Sequence, residues 1–460
     1  MKILVLNGSP KKKLSVTLQS LKFLELHHSD HSFEYVQVIK ELRTWEDEPS
    51  ELISFCQSLK EFEIIIWAFP VYHLLVPAHY KKFIELIFEN DCARYFQGKY
   101  TAVFTTSVHY ADNNAHDYLH AVCDDLGMSF IGSLSHHMDD LVLENRQKEL
   151  KTFFAQIIMS VEEKLSFARQ FATLPQSDYR YRAGKPEKII TTGKRIIIIT
   201  DETSKDYNLR EMIGRVDSLL TEKPEIINLR DLKISGYCLG CCRCGYDNTC
   251  VYKDGYRSFL DYVIDNADII IYAGTIQDRY LSSLFKLYHD RSFTFNHVPH
   301  FRGKQFGYLI SGALSHLDNL RQIIELYHQE STNLGGIVSD EAENDTLLDE
   351  QIYSLLKTLV FAAENNYFKA STFLGQGQLS VFSGMINDFQ GAIFLADYRY
   401  YKKQGYLSRK SSLFKRAQAL LMRHLMTREP FRKSVQQNMY QHMISAHLKV
   451  LEKAKVRPND

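Results

Sequence analysis

Ile64-Ile65-Ile66-Trp67-Ala68 is an unbroken apolar run, and Ile269-Ile270-Ile271-Tyr272-Ala273 is nearly the same run again. A strand-length stretch without polar alternation must bury both of its faces. That is the condition of a strand in a parallel sheet covered by helices on each side. Around the first run, residues 2–6, 35–39 and 101–105 read as further strands. Residues 15–26, 52–59, 77–88 and 115–126 between them carry apolar residues at helical spacing. Alternating strands and helices predict an α/β unit with a parallel sheet. A polar, Pro- and Gly-containing stretch at 174–194 reads as a linker, after which the pattern restarts. Strands are expected at 195–199, 225–229, 268–273 and 306–310, with helices at 208–220 and 281–288. We therefore expect two copies of one α/β unit, over residues 1–175 and 195–345.

After about residue 345 the strands fade. Residues 348–363, 412–426 and 435–451 show apolar residues at i, i+3, i+4 and i+7, with Pro430 separating the last two. Residues 346–460 are thus expected as a helical extension. It is also where the charge sits: residues 401–460 carry 14 Lys/Arg against 3 Asp/Glu, so a chain of zero net charge divides into a basic tail and an acidic body. The basic residues are mixed with core-like apolar ones, which favours a tail lying on its own body over nucleic-acid contact. With 45% hydrophobic and 24% charged residues, the composition is that of a globular chain. No apolar run approaches the roughly 20 residues of a membrane span. No signal peptide is visible, so a cytoplasmic location is expected.

Chemistry is expected at three places. The first is the loop Asn7-Gly8-Ser9-Pro10-Lys11-Lys12-Lys13-Leu14-Ser15-Val16-Thr17, between the first strand and the first helix. Such a loop presents hydroxyls, backbone N–H groups and a helix N-terminus to an anion. It has neither the Gly-Lys-Ser/Thr ending of a nucleotide triphosphate loop nor the G-x-G-x-x-G of a dinucleotide fold. It suits the monophosphate of FMN. The second is Phe69-Pro70-Val71-Tyr72-His73, which follows the third strand at the same sheet edge and can press against a flat ring. A third edge loop, from Thr105 through Thr106, Ser107 and Val108 to His109 and Tyr110, adds donors.

In these residues the chain resembles the NADPH-dependent FMN reductase branch of flavodoxin-like proteins. The resemblance implies that Ser9, Ser15 and Thr17, with Lys11, hold the phosphate. Pro70, Val71, Tyr72 and His73 would meet the isoalloxazine, with Thr106 and Ser107 beside them. Tyr72 and His73 are the candidate proton donors. The third loop lacks the glycines often seen there. The corresponding loop of the second half, Thr200-Asp201-Glu202-Thr203-Ser204-Lys205-Asp206, places three carboxylates where a phosphate would sit. Like charges at short range disfavour that, so FMN is expected in the first half only.

The remaining feature is the density of cysteines: five of eight fall between Cys238 and Cys250. Setting Cys242 aside, Cys238, Cys241, Cys244 and Cys250 have the tight spacing of a [4Fe–4S] ligand run. Zinc is the competitor, although its knuckles are usually separated by a dozen or more residues. This loop resembles that of the iron–sulfur flavoproteins, which insert a compact cysteine motif after the second strand. The two resemblances together imply tandem flavodoxin-like domains followed by a helical extension. They imply an oxidoreductase taking electrons from NAD(P)H through FMN to a [4Fe–4S] cluster, or to a small-molecule or protein acceptor. A homodimer is allowed, and no nucleic-acid partner is expected. The alternatives are an electron carrier without its own substrate and a zinc-stapled scaffold without redox function.

Overall fold

The computed structural model describes residues 1–329, 332–388, 390–407 and 413–456, and it divides into two compact units. In the first unit (residues 1–173, 237–241 and 427–460), the opening apolar run Lys2–Asn7 forms β1 at the centre of a sheet rather than at its edge. It pairs in parallel with β2 (Ser32–Gln37) on one side and β3 (Ile64–Pro70) on the other. The strands β4 (Tyr100–Ser107) and β5 (Ser129–His137) complete the order β2-β1-β3-β4-β5, all parallel. This is the flavodoxin-like order, in which the crossover direction reverses between β1 and β3.

The intervening helices are α1 (Val16–His27), α2 (Val38–Asp47), α3 (Pro49–Ser58), α4 (Ala78–Glu89), α5 (Asn113–Asp125) and α6 (Glu144–Glu162). Because β3 is apolar at every position, its side chains feed two cores. Ile64, Ile66 and Ala68 join Ile3 and Val5 against Leu21 and Leu24 of α1 and Phe154 and Ile157 of α6. On the other face Trp67 packs on Tyr80 and Phe83 of α4. Complete burial of such side chains contributes about 1.5–3 kcal/mol each.

Residues 35–39 are not a strand throughout. The strand ends at Gln37, and Val38 opens α2, because Val38, Leu42 and Trp45 recur at helical spacing and are all buried. The sequence reading also passes over β5, an edge strand interrupted by Gly132 and rich in serine, where neither alternation nor an apolar run is pronounced.

The second unit (residues 174–236 and 242–426) repeats the arrangement. Its strands are β6 (Ile196–Thr200), β7 (Glu225–Asn228), β8 (Ile269–Thr275), β9 (Gln305–Ser311) and β10 (Asn333–Ser339), in the order β10-β9-β8-β6-β7. Its helices are α7 (Tyr207–Ser218), α8 (Tyr256–Asn266), α9 (Ser283–Ser292), α10 (Asp318–Tyr327) and α11 (Asp345–Glu364), followed by α12 (Phe373–Asn387), α13 (Gln390–Ile393), α14 (Leu395–Gln404) and α15 (Leu413–Met426). The helix expected at 412–426 begins at Leu413; Ser412 lies outside the described residues. The last two helices, α16 (Glu429–Gln437) and α17 (Met439–Val456), belong to the first unit, where Leu451 and Ala454 enter the core beside Ile3 and Val5. Pro430 stands in the first turn of α16, where its missing N–H costs nothing, and the break falls instead at Asn438.

The internal repeat extends to details that no apolar pattern reveals. After β3, Tyr72 and Leu75 close a tight turn by exchanging both backbone hydrogen bonds, at 2.9 and 3.0 Å, with His73 and Leu74 at positive φ. After β8, Gln277 and Tyr280 do the same around Asp278 and Arg279. The next helix then buries an ion pair one turn apart: Lys81 with Glu85 at 3.1 Å in the first unit, Lys286 with Asp290 in the second. Both lysines are fully buried, so each carboxylate compensates a charge that water cannot reach. Lys286→Ala should therefore cost about 3–5 kcal/mol of second-unit stability in urea unfolding. The double variant Lys286→Met/Asp290→Leu should recover most of that loss.

Candidate functional site

The carboxyl edge of the first sheet is built from three loops, and backbone chemistry ties them together. At the end of β1, Gly8 N–H donates to Ala68 O of β3 at 2.8 Å, and Ser9 N–H donates to the Asn7 side chain at 2.9 Å. Gly8 is required by close approach: a methyl group there would fall 2.6 Å from the Tyr80 ring. His79 Nε2 meets Gly8 O at 2.8 Å, and the Tyr80 hydroxyl donates to Leu6 O at 2.8 Å. The first turn of α4 thus holds the turn out of β1 from below. Sequence reading missed both residues, because they lie inside an ordinary amphipathic helix.

Beyond Gly8 the loop turns into α1. Ser15 caps the helix, accepting the Leu18 N–H at 3.4 Å, which leaves its hydroxyl proton to donate. The N–H groups of the first turn of α1 have no intrahelical acceptor and give this end partial positive charge. Thr17 Oγ1 lies 2.7 Å from Thr106 Oγ1, joining the first loop to the end of β4. Val71 N–H donates to Thr106 O at 3.0 Å, joining the second loop to the same residue. The structure therefore gathers Ser9, Ser15, Thr17, Val71 and Thr106 at one edge. Ser9, Ser15 and Thr17 are each only 1% exposed. Pro70 ends β3, and Tyr72 and His73 enter the tight turn that follows it. The donor set of hydroxyls and helix N-terminus fits a phosphate monoester.

Ser107 belongs to a different arrangement. Its hydroxyl and that of Ser135 donate to Asp112 Oδ2 at 2.8 and 2.6 Å, and His109 Nδ1 lies 3.3 Å from the same oxygen. Burial works to raise the Asp112 carboxyl, but the hydrogen bonds from Ser135, Ser107 and His109 outweigh it and hold it below the ordinary range. His116 and His120, one turn apart on α5, do not act as a pair. His116 bonds Thr105 Oγ1 at 2.7 Å, while His120 stacks on Phe130.

Lys11 points elsewhere. Its ammonium lies 3.4 Å from Met443 Sδ and 5.5 Å from the centre of the Tyr440 ring, both on α17. The segment from Tyr237 to Cys241 lies at the same place: Tyr440 donates to Leu239 O at 2.8 Å, and Tyr237 packs edge-on against His79. Neither contact was legible in the sequence, since more than 150 residues separate the partners.

The second unit answers the anion question internally. Asp206, which precedes α7 as Ser15 precedes α1, accepts from Thr203 N–H at 2.8 Å, Thr203 Oγ1 at 2.7 Å and Thr275 Oγ1 at 2.8 Å. These are donors of the kind a phosphate would use, and the chain's own carboxylate has taken them. Asp201, which follows β6 as Gly8 follows β1, is buried and bonded to the Ser282 hydroxyl.

The cysteine loop follows β7. Cys238 and Cys241 fall in the first-unit segment, and Cys242, Cys244 and Cys250 in the second unit; all five are half-buried and none is in a disulfide. Within the second unit, Asn296 bonds Cys244 O at 3.1 Å and Asn248 Oδ1 at 2.9 Å, and Cys244 Sγ points to Phe293 O and Asn296 Oδ1. Cys242 holds a left-handed conformation at φ 55°. Among the described residues, no group of three or more His, Cys, Asp or Glu side chains is arranged to hold a metal ion.

Strand order and loop geometry define the first unit as a flavodoxin-like domain with a hydroxyl-rich loop at its switch point. Residues 1–139, ending just beyond β5, match the family model described as NADPH-dependent FMN reductase. Solved structures that resemble the chain include an FMN-dependent NADH-azoreductase from Bacillus anthracis str. Ames Ancestor in complex with FMN. It is 17% identical, with 34% of this chain and 98% of that chain covered and a TM-score of 0.28. Another is the flavoenzyme NAD(P)H:(acceptor) oxidoreductase FerB from Paracoccus denitrificans, 17% identical over 35% of this chain and 97% of that one, with a TM-score of 0.29. No curated protein matches the chain. No helix among the described residues is long and apolar enough to cross a membrane.

Burial pushes the Asp201 carboxyl up to about 6, against the smaller opposing effects of Ser282 and Arg230. A carboxyl raised on folding stabilises the protein below its unfolded value near 4, and that contribution is lost as pH rises through about 6. Asp201→Asn should therefore gain on the wild type between about pH 4 and pH 7, by up to roughly 3 kcal/mol, in unfolding measured across that range.

Proposed function

We propose that the chain is an NAD(P)H-dependent FMN oxidoreductase whose flavin is held by the first unit alone. The observation that carries this reading is the edge at the β1–β3 switch point, where Ser9, Ser15 and Thr17 bring three buried hydroxyls to the N-terminus of α1. When bound, FMN would accept electrons from NAD(P)H and pass them to an acceptor. The residues of the chain do the rest. Ser9, Ser15 and Thr17 grip the phosphate, and Lys11 supplies charge. Pro70, Val71, Tyr72 and His73 line the ring, with Thr106 and Ser107 at the neighbouring edge. Tyr72 and His73 are the side chains proposed to hold the moving proton. Asp206 fills the corresponding place in the second unit, which supports one flavin per chain.

The spacing of Cys238, Cys241, Cys244 and Cys250 supports a second reading, in which electrons continue to a [4Fe–4S] cluster and the protein serves as a carrier. No step is routed through these thiols. Iron, sulfide and zinc analysis of anaerobically purified protein, with its visible spectrum, separates the readings. One flavin without metal supports the oxidoreductase alone. Iron and sulfide together support the cluster, and zinc without colour supports a scaffold.

Ser15→Asp places a carboxylate beside the phosphate and should abolish stoichiometric FMN while far-UV circular dichroism stays unchanged. Changing Ser204 to Asp in the second unit should leave flavin content untouched. Retention of one FMN per chain by Ser15→Asp would sink the assignment.

A further inference from the structure

Ser9, Ser15 and Thr17, the hydroxyls proposed for the phosphate loop, are each 1% exposed. Helix α17 is rooted at its far end, where Leu451 and Ala454 are built into the first-unit core. Its near end, with Met439 and Tyr440, is only the start of a helix following the break at Asn438. That near end lies over Lys11 through Met443 and Tyr440. The segment from Tyr237 to Cys241 lies beside it and is latched by the Tyr440–Leu239 hydrogen bond. The fit of this strap is close. Gly240 has φ +58°, and a methyl group there would fall 1.9 Å from the Tyr72 hydroxyl and 3.4 Å from Lys11 Cε. The strap thus touches one proposed ring-lining residue and one proposed phosphate residue at once.

We infer that the strap of residues 237–241 and the near end of α17 form a retaining wall of the flavin site, with Tyr440 and Gly240 as its positioning residues. This rests on the flavin reading of the first unit. The consequence is chemical: FMN behind such a wall is a resident prosthetic group that turns over in place. It is not a substrate released after each reduction. A three-loop edge open to water would exchange flavin freely, whereas here departure requires the Tyr440–Leu239 bond to break and the strap to lift off Tyr72. Lys11 would leave Met443 and the Tyr440 ring to reach a phosphate.

The test is the rate at which bound FMN leaves the full-length protein, followed by the recovery of free-flavin fluorescence after dilution to a concentration at which FMN does not rebind. Tyr440→Phe removes the latch and keeps the ring; it should speed release about fivefold, the worth of one neutral hydrogen bond. Gly240→Ala cannot keep the strap against Tyr72 and should speed release by tenfold or more. Both variants should still bind one FMN when it is supplied in excess, and their thermal midpoints should stay near that of the wild type. Hydrogen exchange should show residues 237–241 and 439–443 opening faster in both variants. Wild-type release rates in both variants, with one FMN bound, would overturn the wall and leave the flavin site standing. A wild-type protein that binds no FMN would overturn both.

Discussion

The placement of β1 between β2 and β3 is the constraint on which the site depends. The chain crosses from it to β2 on one side and then back over it to β3 on the other, and parallel pairing requires a crossover in each case. The loop leaving β1 therefore emerges into the crevice where the two crossovers part. The N-terminus of α1 and the hydroxyls of Ser9, Ser15 and Thr17 are delivered to it. Everything else at that edge is support: Tyr80 beneath Gly8, His79 on its carbonyl, and Thr106 joining the first loop to the second.

The repeat shows how the same backbone can be committed differently. Both units keep the tight turn after the third strand of the sheet and the buried ion pair in the helix that follows. They differ at the anion loop. The first unit places glycine and hydroxyls there. The second places Asp201 and Asp206, whose carboxylates are already satisfied by Ser282, Thr203 and Thr275. The second unit thus has the loop after its first strand bonded to the chain's own side chains. Its cysteine loop after β7, braced by Asn296, is the feature that the first unit lacks.

The helical region likewise does two jobs. Helices α12 to α15 belong to the second unit, and α16 and α17 to the first. In α17, Leu451 and Ala454 serve the core, while Tyr440 and Met443 lie over the anion loop. A basic, amphipathic stretch reads as a surface element in isolation, because its sequence carries no mark of what its apolar face will meet.

The sequence by itself determined the strands and their partners. Runs such as residues 64–69 and 269–273 can be satisfied only where both faces are covered, and the hydroxyl-rich loop after residues 2–6 can follow only a strand and precede a helix. These are local signals, written in neighbouring residues, and they sufficed for a tandem parallel-sheet architecture and a hydroxyl-rich loop at the carboxyl edge of its first sheet. They failed where the signal was weak, as in the serine-rich edge strand β5. They also failed where two periods competed, as at Val38. The tertiary structure alone decided that Asp206 would bond the hydroxyls of Thr203 and Thr275, and that the five clustered cysteines would lie half-buried. It alone brought Tyr440, Leu239 and Tyr72 together over Lys11. Those arrangements join residues as much as 432 positions apart. Contacts at such separation depend on the summed packing of every element between them, and no local pattern of side chains encodes that sum.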